Sequence, residues 1–277
     1  MSEFEVILRT TSFQSKETLK SNLQEMGIQP GDAIMVHSSL KSIGWVAGGA
    51  QAVVEALMET VTPEGTIVMA AQSTDNSDPS YWMMPAVPED WHEPIRQTMP
   101  AYDPRLTHLR EMGKIADTFH RHPETIRSPH PAHSFMAWGK HAEGWMKTHP
   151  LDDSFGKGSP LGKLLDGNVK IVLIGVGYDS CTALHLSEYL AHRPPMISQG
   201  SAMMQDGERV WATYEMVDVD SGVFPELGTA FETANPGIVQ NRKLGQANCK
   251  IIPMQPLIRF GTGWIAVRRQ TDKESES

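Results

Sequence analysis

The chain has 277 residues, 40% of them hydrophobic and 21% charged, an ordinary globular composition long enough to bury a core without staples. A formal net charge of −9 and no clustered basic run exclude a nucleic-acid partner, since phosphate binding calls for a concentrated cationic surface. Two cysteines, Cys181 and Cys249, are too few for a disulfide framework or a Cys-rich zinc site, and no apolar run approaches the ~20 residues needed to cross a bilayer.

Glu3 and Glu5 stand where a secretory signal would place lysines, so a soluble, cytoplasmic protein is expected. Residues 18–26 read as a first amphipathic helix, ended by Gly27 and Pro30. Residues 33–36 form a short apolar strand that leads straight into HSSL at 37–40. After a turn containing Gly44, Gly48 and Gly49, residues 50–60 read as a helix with Val53, Val54, Ala56 and Leu57 as its buried stripe. Residues 66–70 are a second apolar strand. Strand, helix, strand with short links predicts a parallel pair joined by a right-handed crossover.

From 72 to 102 the chain is rich in Pro, Ser, Asp, Trp and Met without a sustained period, which predicts an irregular functional loop or lid. Residues 112–121 predict a helix, 134–138 a short strand, and Ser159-Pro160 the start of another helix. The most apolar segment, VKIVLIGV at 169–176, predicts a central strand, with a helix over 182–192 after it. Residues 210–219 alternate as an antiparallel strand does, 258–268 predict one more strand, and 271–277 a frayed tail. No repeat or linker divides the chain. The expectation is one domain over 1–277, an α/β fold with a mixed sheet.

The strongest chemical signal is GVGYDSCTALHLSE at 175–188. An apolar strand ends at a glycine turn, Asp179 or Ser180 is placed to cap a helix, and Thr182, His185 and Glu188 fall at i, i+3, i+6 on one helical face. That face starts at the carboxyl end of a strand, where open α/β sheets build their sites. A carboxylate beside an imidazole fixes its tautomer and raises its basicity, making a competent general base; solvated helix faces carry such pairs by chance as well. The HSSL segment offers hydroxyls and backbone amides to an anionic ligand, or merely caps a turn. His130 and His133 have metal-like spacing but no third ligand and no H-E-x-x-H, so no catalytic metal is expected.

These segments resemble the aminoglycoside 3-N-acetyltransferase family, also called the antibiotic N-acetyltransferase family. The matching pieces, in order, are HSSL at 37–40, EMG at 111–113, Arg127-Ser128, His130-Pro131, Ser134-Phe135, SPLGK at 159–163, LIGVG at 173–177, Asp179, TALH at 182–185 and Glu188. The likeness runs from about residue 15 to the end. It implies a three-layer α/β/α sandwich with a mixed, largely parallel central sheet, acetyl-CoA as donor, an amine as acceptor and no metal. On the matching positions, His185 and Glu188 fall on the family's catalytic pair with Thr182 beside them. His37, Ser38, Ser39, Leu40, Ser128, Val176 and Tyr178 fall on segments associated with coenzyme A, and Gln72, Ser73, Asp75 and Asp179 where the acceptor is expected. Cys181 stands where such proteins commonly carry asparagine.

One apparent motif is a chance match. RKLGQA at 242–247 fits the R-x-x-G-x-A pattern of the larger GNAT acetyltransferase superfamily, but Asn235-Pro236 before it and the apolar Ile251-Ile252 after it supply no strand-then-helix setting. Three further readings stay open at this stage. One is a ping-pong transfer through Cys181; another is a hydrolase using Ser180, His185 and Asp179, against which stand the absence of a G-x-S-x-G elbow and the crowding of all three on one turn. The third is a non-catalytic CoA-binding protein.

Overall fold

The computed structural model describes residues 2–275. In chain order the elements are α1 (Glu3–Arg9), α2 (Lys16–Glu25), β1 (Ala33–Ser38), α3 (Leu40–Ile43), α4 (Gly49–Val61), β2 (Thr66–Ala70), α5 (His92–Thr98), α6 (Gly113–His120), β3 (Ile126–Arg127) and β4 (Phe135–Gly139). There follow α7 (Ala142–Met146), α8 (Pro160–Leu165), β5 (Lys170–Ile174), α9 (His185–Leu190), β6 (Met196–Gln205), β7 (Glu208–Val217), α10 (Phe224–Ala234), β8 (Gln240–Leu244), β9 (Ala247–Pro253) and α11 (Met254–Ser275).

Seven strands form one sheet in the order β3-β4-β2-β1-β5-β9-β8. The parallel pairs are β1 with β2 and β1 with β5, and the strands outside these three join antiparallel. Alternation along the central strands explains the three layers. In β1, Ile34 and Val36 face one core and Met35 the other; in β5, Val172 and Ile174 face one and Ile171 and Leu173 the other. Both faces are therefore apolar, which is why the sequence of β5 reads as a continuous hydrophobic run. One face is covered by Leu19 and Leu23 of α2, Val53 and Leu57 of α4, and Ile115 and Phe119 of α6. The opposite face is covered by Leu161 of α8, Leu186 of α9, Phe224 and Phe231 of α10, and Leu257 and Ile265 of α11. No helix among the described residues is long and apolar enough to cross a membrane.

Four sequence expectations change. Residues 258–268 are helical, inside α11, not a strand. Leu257, Ile258 and Ile265 form a helical stripe, and a Cβ at Gly261 would lie 2.6 Å from Ser187 Oγ, so this glycine lets α11 press close against α9 rather than marking a strand. The predicted tail at 271–277 is helical as far as Ser275; the last two residues lie outside the described ones. The helix expected over 182–192 begins only at His185, preceded by 3-10 turns at Tyr178–Ser180 and Thr182–Leu184, and neither Asp179 nor Ser180 caps it. The segment 72–102 is not wholly irregular, for it contains α5.

That segment is also firmly held. It packs on the separate β6-β7 ribbon, with Asn76 and Tyr102 bonded to the Ala202 backbone and Asp78 N–H to Gln199 Oε1. At its base the buried Arg127 guanidinium donates to Ala71 O (2.7 Å), Thr107 O (2.7 Å), Ser73 Oγ (2.5 Å) and Ser134 Oγ (2.9 Å). A cation buried without a carboxylate is tolerable because these oxygens and the Tyr102 ring, 5.1 Å away, replace its water.

Candidate active site

From β1 the chain crosses to β2 on one side, while β5 lies against β1 on the other, so a crevice opens at the carboxyl ends of β1 and β5. Such a switch of direction is where open α/β sheets bind ligands. A cleft of about 640 Å³ occupies this crevice, walled by residues 36–41 from β1 and α3, Gln72 after β2, Glu111 to Lys114 at the start of α6, and the turn after β5. That turn depends on Gly175, at φ +64°, where a Cβ would meet Ser42 Cβ at 2.2 Å. The close approach lets Ser42 Oγ donate to Gly175 O at 3.1 Å, tying the β5 turn to α3.

On the first turn of α9, His185 Nδ1 and Glu188 Oε2 are 2.5 Å apart, and Glu188 is 3% exposed. The second carboxylate oxygen accepts Asp220 N–H at 2.7 Å, so the buried charge has a partner on each oxygen. The His185 ring is held between Phe155 and Phe224, with centroids 4.8 and 4.9 Å away. The carboxylate keeps the ring proton on Nδ1, and Nε2 is left as a free lone pair on a ring that lines the cleft. Thr182, one turn earlier, lines the same wall.

His37, Ser38, Ser39, Leu40, Gln72, Val176, Asp179, Thr182 and His185 all line the cleft, with Glu188 directly behind His185. Four residues named from the sequence do not. Ser128 is fully buried, its hydroxyl between His149 Nδ1 and the Phe135 amide. The Tyr178 ring turns away under α10, where a Cβ on Gly228 would lie 2.1 Å from it, so only its backbone belongs to the turn. Ser73 is buried between His108 O and Arg127, and Asp75 is engaged by Arg110 outside the cleft. Conversely, Lys41, Lys114 and Ser221 line the cleft unannounced. The two lysines directly follow HSSL and EMG, and that adjacency was their only signal; for Asp220, which holds Glu188, there was none.

Cys181 is fully buried, and burial pushes its thiol up to about 12. His130, His133 and His149 cluster behind the cleft. Burial lowers His149 to about 4 and His133 to about 3, and holds His130 well below the ordinary imidazole range. Ser180 and Cys181 amides bond back to Gly177 O and Tyr178 O, so they are not free for a ligand. RKLGQA lies across the β8–β9 hairpin, without a helix after it.

Residues 35–266 match the model of a family described as aminoglycoside 3-N-acetyltransferase. The chain is 41% identical over 260 residues to the SPbeta prophage-derived aminoglycoside N(3')-acetyltransferase-like protein YokD of Bacillus subtilis (strain 168), covering 93% of this chain and 95% of that protein. The crystal structure of YokD matches with a TM-score of 0.92, covering 95% of this chain and 97% of that one. Aminoglycoside N(3)-acetyltransferase VIII of Streptomyces fradiae is 32% identical, over 97% of both chains. A structure of AAC-IIIb in a binary complex with CoASH is 28% identical with a TM-score of 0.81, covering 93% of this chain and 98% of that one. The fold, the crevice and the His185–Glu188 pair thus sit in a chain that belongs to the aminoglycoside 3-N-acetyltransferase family and is an acetyltransferase.

Proposed function

We propose that this enzyme moves the acetyl group of acetyl-CoA onto an amino group of a small cationic acceptor, an aminoglycoside at its 3-N position or a similar amine, by direct attack with both substrates bound. The observation that carries the reading is the His185–Glu188 pair, with the unbonded Nε2 on the cleft wall. An acceptor ammonium gives up one proton to water and attacks as the neutral amine. As its nitrogen bonds to the thioester carbon, His185 Nε2 takes a second proton from that nitrogen, and Glu188 steadies the imidazolium. The C–S bond then breaks, and the proton passes from His185 to the CoA sulfur. The Thr182 hydroxyl lines the same wall and is placed to support the charge that builds on the carbonyl oxygen.

The cleft lining carries groups of both charges that suit this pairing. Lys41 and Lys114, with the amino end of α6, offer positive charge to the phosphates of coenzyme A, beside the hydroxyls of Ser38 and Ser39. Asp179 and Gln72 offer the acceptor a carboxylate and an amide. The buried Cys181, with its raised thiol, favours direct attack over an acetyl-cysteine relay.

A thiol-release assay with acetyl-CoA and a panel of aminoglycosides and simpler amines tests the reading, with His185→Ala alongside. Release that needs the amine, and falls about 10²–10⁴-fold in the variant while acetyl-CoA still binds, is the expected result. Near-normal turnover by His185→Ala overturns the assignment of the base.

A further inference from the structure

The direct-attack reading gives the negative charge on the thioester carbonyl one donor, the Thr182 hydroxyl, and the nearby backbone adds little to it. The amides of Ser39, Ser180 and Cys181 are bonded to Ile174 O, Gly177 O and Tyr178 O. In the same crevice, however, the last residues of β1 put a second imidazole against the cleft. His37 is 8% exposed and pairs in register with Leu173 of β5. Its Nε2 is buried with no hydrogen-bond partner, and its Nδ1 is bonded to no described residue.

A buried polar atom without a partner is uncommon, and an orphaned N–H is rarer than an orphaned acceptor. The proton of a neutral His37 therefore belongs on Nδ1, and Nε2 carries the unpaired lone pair. Burial, and the His185 charge second, lower His37 to about 4, so its ring does not gain a second proton at neutral pH. An imidazole whose protonated form is this acidic is too weak a base to share the role of His185, but its N–H can donate. A fixed neutral donor aimed at growing charge is an effective electrophile in a dry site.

We propose that His37 is a second catalytic residue, a neutral imidazole whose Nδ1–H donates a hydrogen bond to the thioester carbonyl oxygen of the bound acetyl donor. As the amine nitrogen attacks, the carbonyl π pair moves onto oxygen and the His37 bond strengthens. When that pair returns and the C–S bond breaks, the bond relaxes. His37 keeps its proton throughout; once the acceptor has entered as the neutral amine, the one proton moved within the site is the one His185 carries from nitrogen to sulfur. The assignment rests on the reading of the cleft as an acetyl-CoA site. It differs from a role in holding coenzyme A, because it predicts a loss in kcat rather than in donor affinity.

The test uses a ketone analogue of acetyl-CoA, with methylene in place of sulfur and ¹³C at the carbonyl, bound to the full-length protein and observed by NMR and infrared spectroscopy. No amine is needed, so the outcome does not depend on identifying the acceptor. In the wild type the bound carbonyl resonance moves downfield and its stretch to lower frequency. His37→Leu abolishes both shifts, whereas His37→Asn, which places an amide N–H close to the Nδ1 position, keeps most of them, as does His185→Ala. In turnover, His37→Leu loses about 10²–10³ in kcat with donor affinity little changed, and His37→Asn regains at least a decade. An unshifted carbonyl in the wild type, or one equally shifted in His37→Leu, overturns the proposal, and so does a loss confined to donor binding. Failure of the direct-attack reading is read separately, as undiminished turnover in His185→Ala.

Discussion

His185 and the trio His130, His133 and His149 carry the same side chain and are joined through one ring, for Phe155 stacks 4.8 Å from His185 and 4.9 Å from His133. Their partners differ. His130 and His149 are bonded to neutral groups, and His133 Nδ1 is buried with no partner among the described residues. His149 Nε2–H donates to Ser154 O at 2.7 Å while its Nδ1 accepts from the Ser128 hydroxyl, and His130 Nε2 meets Ser154 Oγ at 2.9 Å while its Nδ1 accepts the Ala132 and His133 amides. Nothing there compensates a positive charge, and burial holds all three neutral. His185 has a carboxylate on one nitrogen and the cleft on the other. On the proposed mechanism, proton exchange follows from one glutamate and one open face, not from the imidazole itself.

Replacing the glutamate removes the distinction, with the largest effect expected here. Glu188→Gln keeps the size and the bond from Asp220 N–H but no longer stabilises an imidazolium, and its amide can present an N–H to Nδ1, which places the His185 proton on the wrong nitrogen. kcat should fall about 10²-fold or more with acetyl-CoA binding retained, as followed by thiol release and calorimetry. Turnover close to wild type would mean that the pair is structural, like the trio.

This contrast explains how much the sequence disclosed. Glu188 lies three residues from His185 on one helical turn, so spacing alone could pair them. Four strands of the main sheet, β1, β2, β4 and β5, were readable because short apolar runs leave few alternatives, whereas β3, β8 and β9 were not predicted. Long-range partners were not readable. Ser128 looked like a ligand of coenzyme A but serves His149, 21 residues away, and Asp220 reaches Glu188 across 32 residues. The C-terminal helix was misread because Gly261 and Gly263 resemble strand punctuation, and only the packing of Gly261 on Ser187 shows why a helix keeps it there. The β6 strand left no signal, since its pairing with β7 outside the main sheet leaves both of its ends exposed.

The trio makes a second, smaller prediction, on stability against pH. Unfolded histidine takes up a proton near 6.5, while folded His133 and His149 do so only near 3 and 4. Between those limits the unfolded chain holds more protons, so stability is full above about 6.5 and declines as the pH falls toward 4. Each such histidine contributes up to about 1.4 kcal/mol per pH unit to that decline. His133→Phe, which removes one titrating ring from an aromatic setting, should flatten the slope by about that amount in urea unfolding between pH 6.5 and 4.5. An unchanged slope would show that His133 already carries its proton in the folded protein, contrary to the environment described above.

Cys181 gives the smallest expected effect and sharpens the comparison from another side. It lies four residues before His185, one residue farther than Glu188 on the other side, yet it is fully buried with its thiol pushed up to about 12. Nearness to His185 therefore does not make it a nucleophile, because burial disfavours the thiolate that the chemistry requires. Cys181→Ala leaves a small void in the core, expected to cost about 1 kcal/mol of stability. Its turnover should stay within about threefold of wild type, a barrier change below about 0.7 kcal/mol. Loss of nearly all activity, together with an acetyl group trapped on the wild-type cysteine, would instead make the relay through Cys181 the working mechanism and move Glu188 and His185 to its activation.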